Sequence, residues 1–296
     1  MTPDQNADDR GPRWRELTAE ERQVQYSPSS CTGGTFEPYI AEYAERSLTV
    51  RERFANQGPP LQELRYGPGD SNTVDLVVPG TPGPCPLLVF IHGGYWQRLS
   101  KRESLFAAQD CLDAGVAFAA VDYTLAPEAS LDQIVAECHA AVAALRAGAS
   151  AIGVDPERMV VCGSSAGAHL SAMVGLGSPD GWRPAGLGLL SGVFELEPLI
   201  GTTINEAVGL DVEAARRNSP LLADLTNFPP TVVAWGDNET DEFKRQSLGM
   251  ANAIAKTGTV VNAFEVPDRN HFDIVFDLAN RAEPLGAAIH DLFPKS

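Results

Sequence analysis

The chain has few of the features that mark nucleic-acid-binding or membrane-spanning proteins. Its 22 Lys and Arg residues are outnumbered by 39 Asp and Glu residues, which gives a formal net charge of −17 at pH 7. This acidity argues against nucleic acid or an anionic membrane surface as a partner, because both would repel the protein. No apolar run approaches the ~20 residues of a membrane span, and the polar residues 1–15 contain no signal-peptide core.

Cysteine is also scarce, and its spacing carries information. The chain contains five cysteines, an odd number, and no pair of them has the spacing of metal ligands: Cys31, Cys85, Cys111, Cys138 and Cys162. This pattern indicates reduced thiols in a protein core rather than a disulfide framework. We therefore expect a cytoplasmic protein.

Signatures of the common cofactor sites are missing as well. A metal centre needs three or four His, Cys, Asp or Glu residues in a tight cluster, and a dinucleotide site needs Gly-x-Gly-x-x-Gly at the first strand–helix turn. Neither appears in the sequence. A catalytic cysteine is disfavoured too, because Cys162 falls inside an apolar run where a thiol would be inert. We expect no cofactor and no metal.

What the sequence does contain is an alternation of apolar strands and amphipathic helices. The continuous apolar runs at 86–91 and 116–121 are typical of parallel strands buried on both faces. A helix is predicted at 131–147, where apolar residues recur at helical spacing. The alternation predicts an α/β fold with a mostly parallel, doubly wound sheet. Its other predicted elements are an antiparallel hairpin (61–66 and 72–78), strands at 186–191, 230–236 and 260–266, and helices at 102–114, 242–255 and 278–292.

The predicted domain organisation is simple. Residues 1–13 are rich in Asp, Gly and Pro and are expected to be disordered. Residues 14–296 form a single predicted domain, since no stretch inside them resembles a linker. Residues 14–60 form a helical block for which two roles stay open, a cover over the active site and packing against a sheet edge. The cover is the working prediction.

The chemistry is organised around Gly163-Ser164-Ser165-Ala166-Gly167, which directly follows an apolar run. A Gly-x-Ser-x-Gly pattern alone is weak evidence, but a strand before it and a helix after it describe a nucleophile elbow. Ser165 would then lie at the apex of a tight turn. The amide of Ala166 would point toward the oxyanion that forms during acyl transfer.

A serine nucleophile needs a histidine base, and His271 is the best candidate. It is the only histidine on a loop directly after a late strand, and it gives the order serine, acid, histidine expected of this architecture. The other four lie in a glycine-rich turn or on predicted helices, where we expect structural roles: His92, His139, His169 and His290.

Three carboxylates could orient that base. Glu239 is preferred because it stands three residues beyond the strand-terminating Gly236, far enough to turn back toward a histidine. Asp237 is the serious rival and Asp241 a more distant one. For the oxyanion, Gly93 and Gly94 follow an earlier strand, and only glycine allows backbone amides to approach so closely. Together with the amide of Ala166 they are the predicted donors.

Several motifs together resemble the α/β-hydrolase superfamily, nearest to the kynurenine formamidases and related esterases. The motifs are His92-Gly93-Gly94-Tyr95-Trp96-Gln97, Gly163 to Leu170, and Asn270-His271-Phe272, supported by Gln25 to Ser29, Leu190 to Pro198 and Glu242 to Ser247. The resemblance runs from about Tyr26 to the final helix. In that family an Asp usually stands three residues before the Glu-Phe-x-Arg-Gln-Ser piece, and here that position is Glu239.

The resemblance implies a serine hydrolase that cleaves a small acyl group from a small-molecule substrate through an acyl-enzyme. The most favoured bond is that of an N-formyl arylamine, with formate released, and Tyr95 and Trp96 would contribute aromatic walls to the substrate pocket. A short-chain carboxylesterase is the alternative. An inactive hydrolase fold used as a binding module is a distant third. The oligomeric state stays open, with a homodimer as one option.

Overall fold

An eight-stranded sheet forms the centre of the protein, with the spatial order β1-β2-β4-β3-β5-β6-β7-β8. The computed structural model describes residues 13–80, 82–178 and 180–295. The strands are β1 (Gln62–Arg65), β2 (Thr73–Val77), β3 (Cys85–Ile91), β4 (Ala117–Val121), β5 (Val154–Ser164), β6 (Gly186–Leu190), β7 (Thr231–Asn238) and β8 (Val261–Asn270). The predicted α/β class is confirmed.

The sheet is mostly parallel, as predicted. Only β2 runs against its neighbours, pairing antiparallel with both β1 and β4, whereas all pairs from β4 to β8 are parallel. The connection from β3 leads to β4 on one side, whereas the connection from β5 leads to β6 on the other side. Loops at the carboxyl ends of β3 and β5 therefore diverge and leave a crevice, which is where ligands bind in open α/β sheets.

Helices cover both faces of the sheet. They are α1 (Ala19–Gln25), α2 (Glu37–Asn56), α3 (Ala108–Asp113), α4 (Leu131–Ala147), α5 (Ala149–Ile152), α6 (Ala166–Gly175), α7 (Asn205–Val208), α8 (Val212–Arg217), α9 (Asp241–Lys256) and α10 (Pro284–His290). Alternate residues of β3 point to opposite faces of the sheet, and each face is covered by a different layer of helices. Val89 belongs to a core cluster that includes residues of α4, α6 and α9, whereas Leu88 and Phe90 belong to a second cluster that includes residues of α2, α3 and α10. Within the described residues, no helix is both long and apolar enough to cross a membrane.

Some predicted boundaries were wrong. The helix predicted at 102–114 is a 3-10 turn at Lys101–Glu103 followed by the short α3, and the last helix is α10 preceded by a 3-10 turn at Asp273–Asp277. Strand β8 extends four residues past the predicted end, to Asn270. That extension carries the strand up to His271.

The N-terminal block contains α1 and α2 joined by a 3-10 turn at Pro28–Thr32. Thr18 begins α1 with a capping box, in which its hydroxyl accepts from the Glu21 amide and the Glu21 carboxylate accepts from the Thr18 amide. The disorder predicted for residues 1–13 falls outside the described residues, except for Arg13, the first residue of a 3-10 turn at Arg13–Arg15.

Candidate active site

Ser165 occupies a strained turn between β5 and α6. Its backbone has φ 57° and ψ −122°, outside the regions that a non-glycine residue normally adopts. Only glycine fits at the two flanking positions. A Cβ at Gly163 would collide with the backbone of Gly167, and a Cβ at Gly167 would collide with the backbone of Ile91. The geometry is that of a nucleophile elbow, which exposes a serine hydroxyl at the end of a buried strand.

The loop after β3 lies directly against this elbow. A Cβ added to Gly93 would lie 2.7 Å from the carbonyl oxygen of Ser164 and 3.2 Å from Cβ of Ser165. Gly94 has φ 88°, a left-handed conformation in which glycine is unstrained. Ala166 is the first residue of α6, so its amide has no partner inside the helix. The structure thus brings the three predicted oxyanion donors to the same end of the sheet.

The two aromatic residues of that loop differ in exposure. Tyr95 and Trp96 both have a left-handed backbone, with φ of 50° and 61°, and their rings are in edge contact, with centroids 5.9 Å apart. Tyr95 lines the crevice, and its hydroxyl donates to the Tyr26 carbonyl at 2.7 Å. Trp96 is fully buried and packs edge to face on His169, with ring centroids 5.1 Å apart. The prediction that Trp96 lines the substrate pocket was therefore wrong.

His271 and Glu239 form a buried pair at the ends of β8 and β7. The Nδ1 atom of His271 lies 3.0 Å from Oε2 of Glu239, and both residues are less than a tenth exposed. The ring of His271 also packs against Phe243, with centroids 4.4 Å apart. A carboxylate on Nδ1 leaves Nε2 free to exchange a proton, which is the arrangement of a catalytic histidine.

The second carboxylate oxygen of Glu239 is held separately. Oε1 accepts from the amide of Gly236 at 2.6 Å and from the hydroxyl of Ser191 at 2.5 Å. Ser191 is fully buried just after β6. Sequence reasoning missed Ser191, because 48 residues separate it from Glu239 and only its position after a strand marks it.

The rival carboxylates lie elsewhere. Asp237 is exposed, and its Oδ2 accepts from the amide of Asp268 at 3.0 Å. Asp241 is exposed at the start of α9. Neither forms a hydrogen bond or ion pair with a histidine among the described residues. The structure therefore places only Glu239, of the three candidates, on His271.

Three of the other histidines contact aromatic rings or backbone carbonyls. His92 stacks on Tyr123 with centroids 4.2 Å apart. His169 is fully buried, and its Nε2 lies 2.7 Å from the carbonyl of Asn218. Burial lowers the pKa of His169 to about 4, so its ring is neutral at pH 7. His290 lies on α10, with Nε2 3.1 Å from the carbonyl of Ala279.

Ser165 and His271 both line one cavity of about 890 Å³. The described residues contain no direct hydrogen bond between Oγ of Ser165 and the His271 ring. Such bonds are often long in an enzyme without substrate and tighten when substrate binds. Much of the opposite wall comes from the N-terminal block, including Tyr26, Phe36 and Tyr43.

Buried polar contacts tie that block to the rest of the site. The Tyr26 hydroxyl donates to Glu242 at 2.7 Å, and Arg245 lies between Glu242 and Glu195. Trp14 donates its indole N–H to Glu195 at 3.0 Å. Burial and the neighbouring Glu242 charge raise the pKa of Tyr26, which therefore remains a neutral donor. These contacts attach the N-terminal block through α9, whose Phe243 touches His271.

Comparisons with known proteins identify relatives of the chain. A model of the BD-FAE family matches residues 74–182. The chain is 32% identical over 283 residues to the kynurenine formamidase of Salmo salar, covering 90% of this chain and 94% of that protein. It is 31% identical over 281 residues to the kynurenine formamidase of Danio rerio, with the same coverage.

Solved structures are similar over nearly the whole chain. A Silicibacter protein assigned as a thioesterase superposes with a TM-score of 0.78 at 27% identity, covering 90% of this chain and 97% of that chain. An esterase from Pyrobaculum calidifontis superposes with a TM-score of 0.71 at 18% identity, covering 86% and 92%. The protein is an α/β-hydrolase, an enzyme that cleaves amide or ester bonds. Within that class, it belongs to the kynurenine formamidase family.

Proposed function

We propose that the protein hydrolyses N-formyl arylamines, using Ser165 as nucleophile, His271 as base and Glu239 as the acid that orients His271. The contact between His271 and Glu239, beside a cavity that Ser165 also lines, carries this proposal. The kynurenine formamidases among the relatives support the choice of a formyl amide.

In the first half-reaction, Oγ of Ser165 attacks the formyl carbon while Nε2 of His271 accepts the hydroxyl proton. The negative charge passes to the formyl oxygen, which the amides of Gly93, Gly94 and Ala166 stabilise. The C–N bond then breaks, and His271 gives its proton to the departing arylamine. Glu239 holds the imidazole in the required tautomer and stabilises the imidazolium.

In the second half-reaction, water replaces the amine. His271 takes a proton from the water, whose oxygen attacks the formyl ester of Ser165. Collapse of the second tetrahedral intermediate releases formic acid and returns the proton from His271 to Oγ of Ser165. The formic acid then ionises to formate and a proton that passes to solvent, so atoms and electrons balance without a cofactor.

The cavity wall supports an aromatic leaving group. Phe36 and Phe272 line the cavity with near-parallel rings, 25° apart in plane and 6.4 Å between centroids. Tyr39 stacks on Phe272 at 5.1 Å. Flat apolar walls of this kind bind a planar ring. We also propose that residues 14–60 act as a cover, since Phe36 belongs to that block.

A kinetic panel tests the substrate class. An N-formyl arylamine, its N-acetyl counterpart and the matching aryl acetate are compared by kcat/KM, with the Ser165→Ala variant as control. We expect the formyl amide to be turned over and Ser165→Ala to lose activity by about 1,000-fold or more. Turnover of the ester with both amides inert would make the protein a carboxylesterase instead.

An active-site phosphonate tests the nucleophile and the binding-module alternative together. We expect mass spectrometry to find the label on Ser165 and no labelling of Ser165→Ala. A chain that is neither labelled nor active on any member of the panel would be a binding module.

We further infer a reducing, cytoplasmic environment. All five cysteines are free thiols, and four of them are buried. Burial raises the pKa of Cys138 and Cys162, which keeps both in the unreactive thiol form. A homodimer stays a prediction that size-exclusion chromatography with light scattering can test.

A further inference from the structure

Glu239 is a buried carboxylate that depends on a small number of hydrogen-bond donors. Its side chain is 0% exposed, so water does not solvate its charge. The described residues supply three donors: the His271 ring to Oε2, and the Gly236 amide and Ser191 hydroxyl to Oε1. A buried charge is costly unless its oxygens are hydrogen-bonded. Among the described residues, the Ser191 hydroxyl is the only side-chain donor on the oxygen that faces away from the histidine.

The backbone around Ser191 is hydrogen-bonded to two neighbouring segments. The amide of Ser191 donates to the carbonyl of Ala234 in β7 at 2.8 Å. One residue earlier, the carbonyl of Leu190 accepts from the amide of Ser165 at 2.8 Å. The end of β6 therefore contacts the elbow through Leu190 and the acid through Ser191.

Ser191 also has an unusual conformation for its residue type. Its φ is 50°, in the left-handed region where a residue with a Cβ is strained. That conformation places the hydroxyl on Oε1 of Glu239, 2.5 Å away. Backbone strain of this kind persists where surrounding contacts fix it, and it is often found at functional sites.

The length of the Glu239 side chain makes this contact more important. Compared with Asp, Glu has one more methylene and one more rotatable bond, so its carboxylate has more orientations to lose. Two donors on Oε1 restrict those orientations and leave Oε2 directed at His271. Without Ser191, Oε1 would keep only the Gly236 amide and Oε2 only the His271 ring, which leaves one donor on each oxygen.

We propose that Ser191 is a positioning residue for catalysis, which acts through Glu239 by holding its carboxylate in the orientation that serves His271. This inference rests on the proposed roles of Glu239 and His271. It adds a fourth side chain to the catalytic arrangement, without contact to the substrate.

The test compares Ser191→Ala and Ser191→Gly with a matched control. Both variants remove the hydroxyl, but glycine accepts φ 50° without strain, which protects against misfolding. Ser47→Ala is the control, because Ser47 is also fully buried and hydrogen-bonded, to the amide of Leu105, outside the cavity wall. We expect both Ser191 variants to lower kcat by about tenfold or more with little change in KM, as for loss of a hydrogen bond to a charged group. Ser47→Ala should keep the wild-type kcat.

A double-mutant cycle separates positioning from a merely structural role. If Ser191 acts through the Glu239 carboxylate, Ser191→Ala should cause no further loss of kcat in a Glu239→Gln background. Equal losses of kcat in both backgrounds would overturn the proposal. So would a wild-type kcat in the Ser191 single variants, or a change in KM with no change in kcat.

The same cycle distinguishes failure of this inference from failure of the proposed function. If Glu239→Gln retains full activity, the assigned acid is wrong, and the role of Ser191 falls with it. If Glu239→Gln is severely impaired but both Ser191 variants match wild type, the assigned acid stands and only the role of Ser191 is overturned.

Discussion

At the scale of single residues, the acid is the assignment that mutation can resolve most directly. The structure puts Glu239 on His271 and leaves Asp237 exposed on the amide of Asp268. A histidine that loses its carboxylate partner adopts the wrong tautomer and cannot stabilise its charged form. The two carboxylates are two residues apart, so they form a matched pair for substitution.

Glu239→Gln is expected to lower kcat by about 1,000-fold to 10,000-fold, the loss known for an amide in the place of a triad acid. Asp237→Asn should stay close to wild type. Initial rates on the preferred substrate of the panel measure both, and thermal melting checks that both variants are folded. A large loss in Asp237→Asn with activity retained in Glu239→Gln would reverse the assignment.

Residues of the candidate site could be predicted where the local sequence carries a signal. The glycines two residues before and after Ser165 mark it as a candidate nucleophile, and the position of His271 directly after a strand marks it as a candidate base. Ser191 has no such signal, because its partner is distant in sequence. Trp96 was predicted to line the substrate pocket but is buried, because the direction of its side chain depends on a left-handed backbone at Tyr95 and Trp96. Sequence patterns indicate a left-handed backbone at glycine, and neither residue is a glycine.

At the scale of elements, the loop after β3 is fitted to the elbow through Gly93. A side chain at this position would lie 2.7 Å from the carbonyl oxygen of Ser164. Protein backbones do not come so close to a Cβ, so the loop or the elbow would have to shift. Either shift would move the oxyanion donors relative to Ser165.

Gly93→Ala should therefore lower kcat by about 100-fold, since misplacing donors by about 1 Å has an effect of that size. Gly80→Ala is the control, because a Cβ there has no neighbour within 4 Å among the described residues. Rates and far-ultraviolet circular dichroism are measured for both. A Gly93→Ala enzyme with wild-type kcat would show that this loop does not supply the oxyanion donors.

Elements were predicted well where burial on both faces gave a continuous apolar run. The strands at 86–91 and 116–121 match β3 and β4 to within a residue at each end. The first half of the helix predicted at 102–114 was wrong and only α3 is helical, because Leu105 and its neighbours are apolar through packing in the core cluster with α2 and the sheet rather than through helical periodicity. Tertiary burial of an irregular segment resembles an amphipathic helix in a single sequence.

At the scale of the whole molecule, acidity and buried histidine act in opposite directions as the pH falls. Protonation of carboxylates reduces the net charge of −17 and with it the self-repulsion of the folded chain. His169 works against this gain, because its folded-state pKa is about 4 whereas an unfolded chain has a histidine pKa near 6.5. Between these two values the unfolded state binds a proton that the native state does not.

The free energy of unfolding should therefore contain a contribution from His169 that is fully present above pH 6.5 and decreases as the pH falls toward 4. The difference of about 2.5 pKa units corresponds to roughly 3 kcal/mol over the full range. Urea unfolding of wild type and His169→Gln at intervals from pH 7.5 to 5.2, above the sequence pI of 4.6, isolates this contribution. All other titrating groups are common to both proteins and cancel in the difference between them. We expect the stability of wild type to decrease more steeply with falling pH than that of the variant, and parallel curves would show that His169 titrates alike in the folded and unfolded chains.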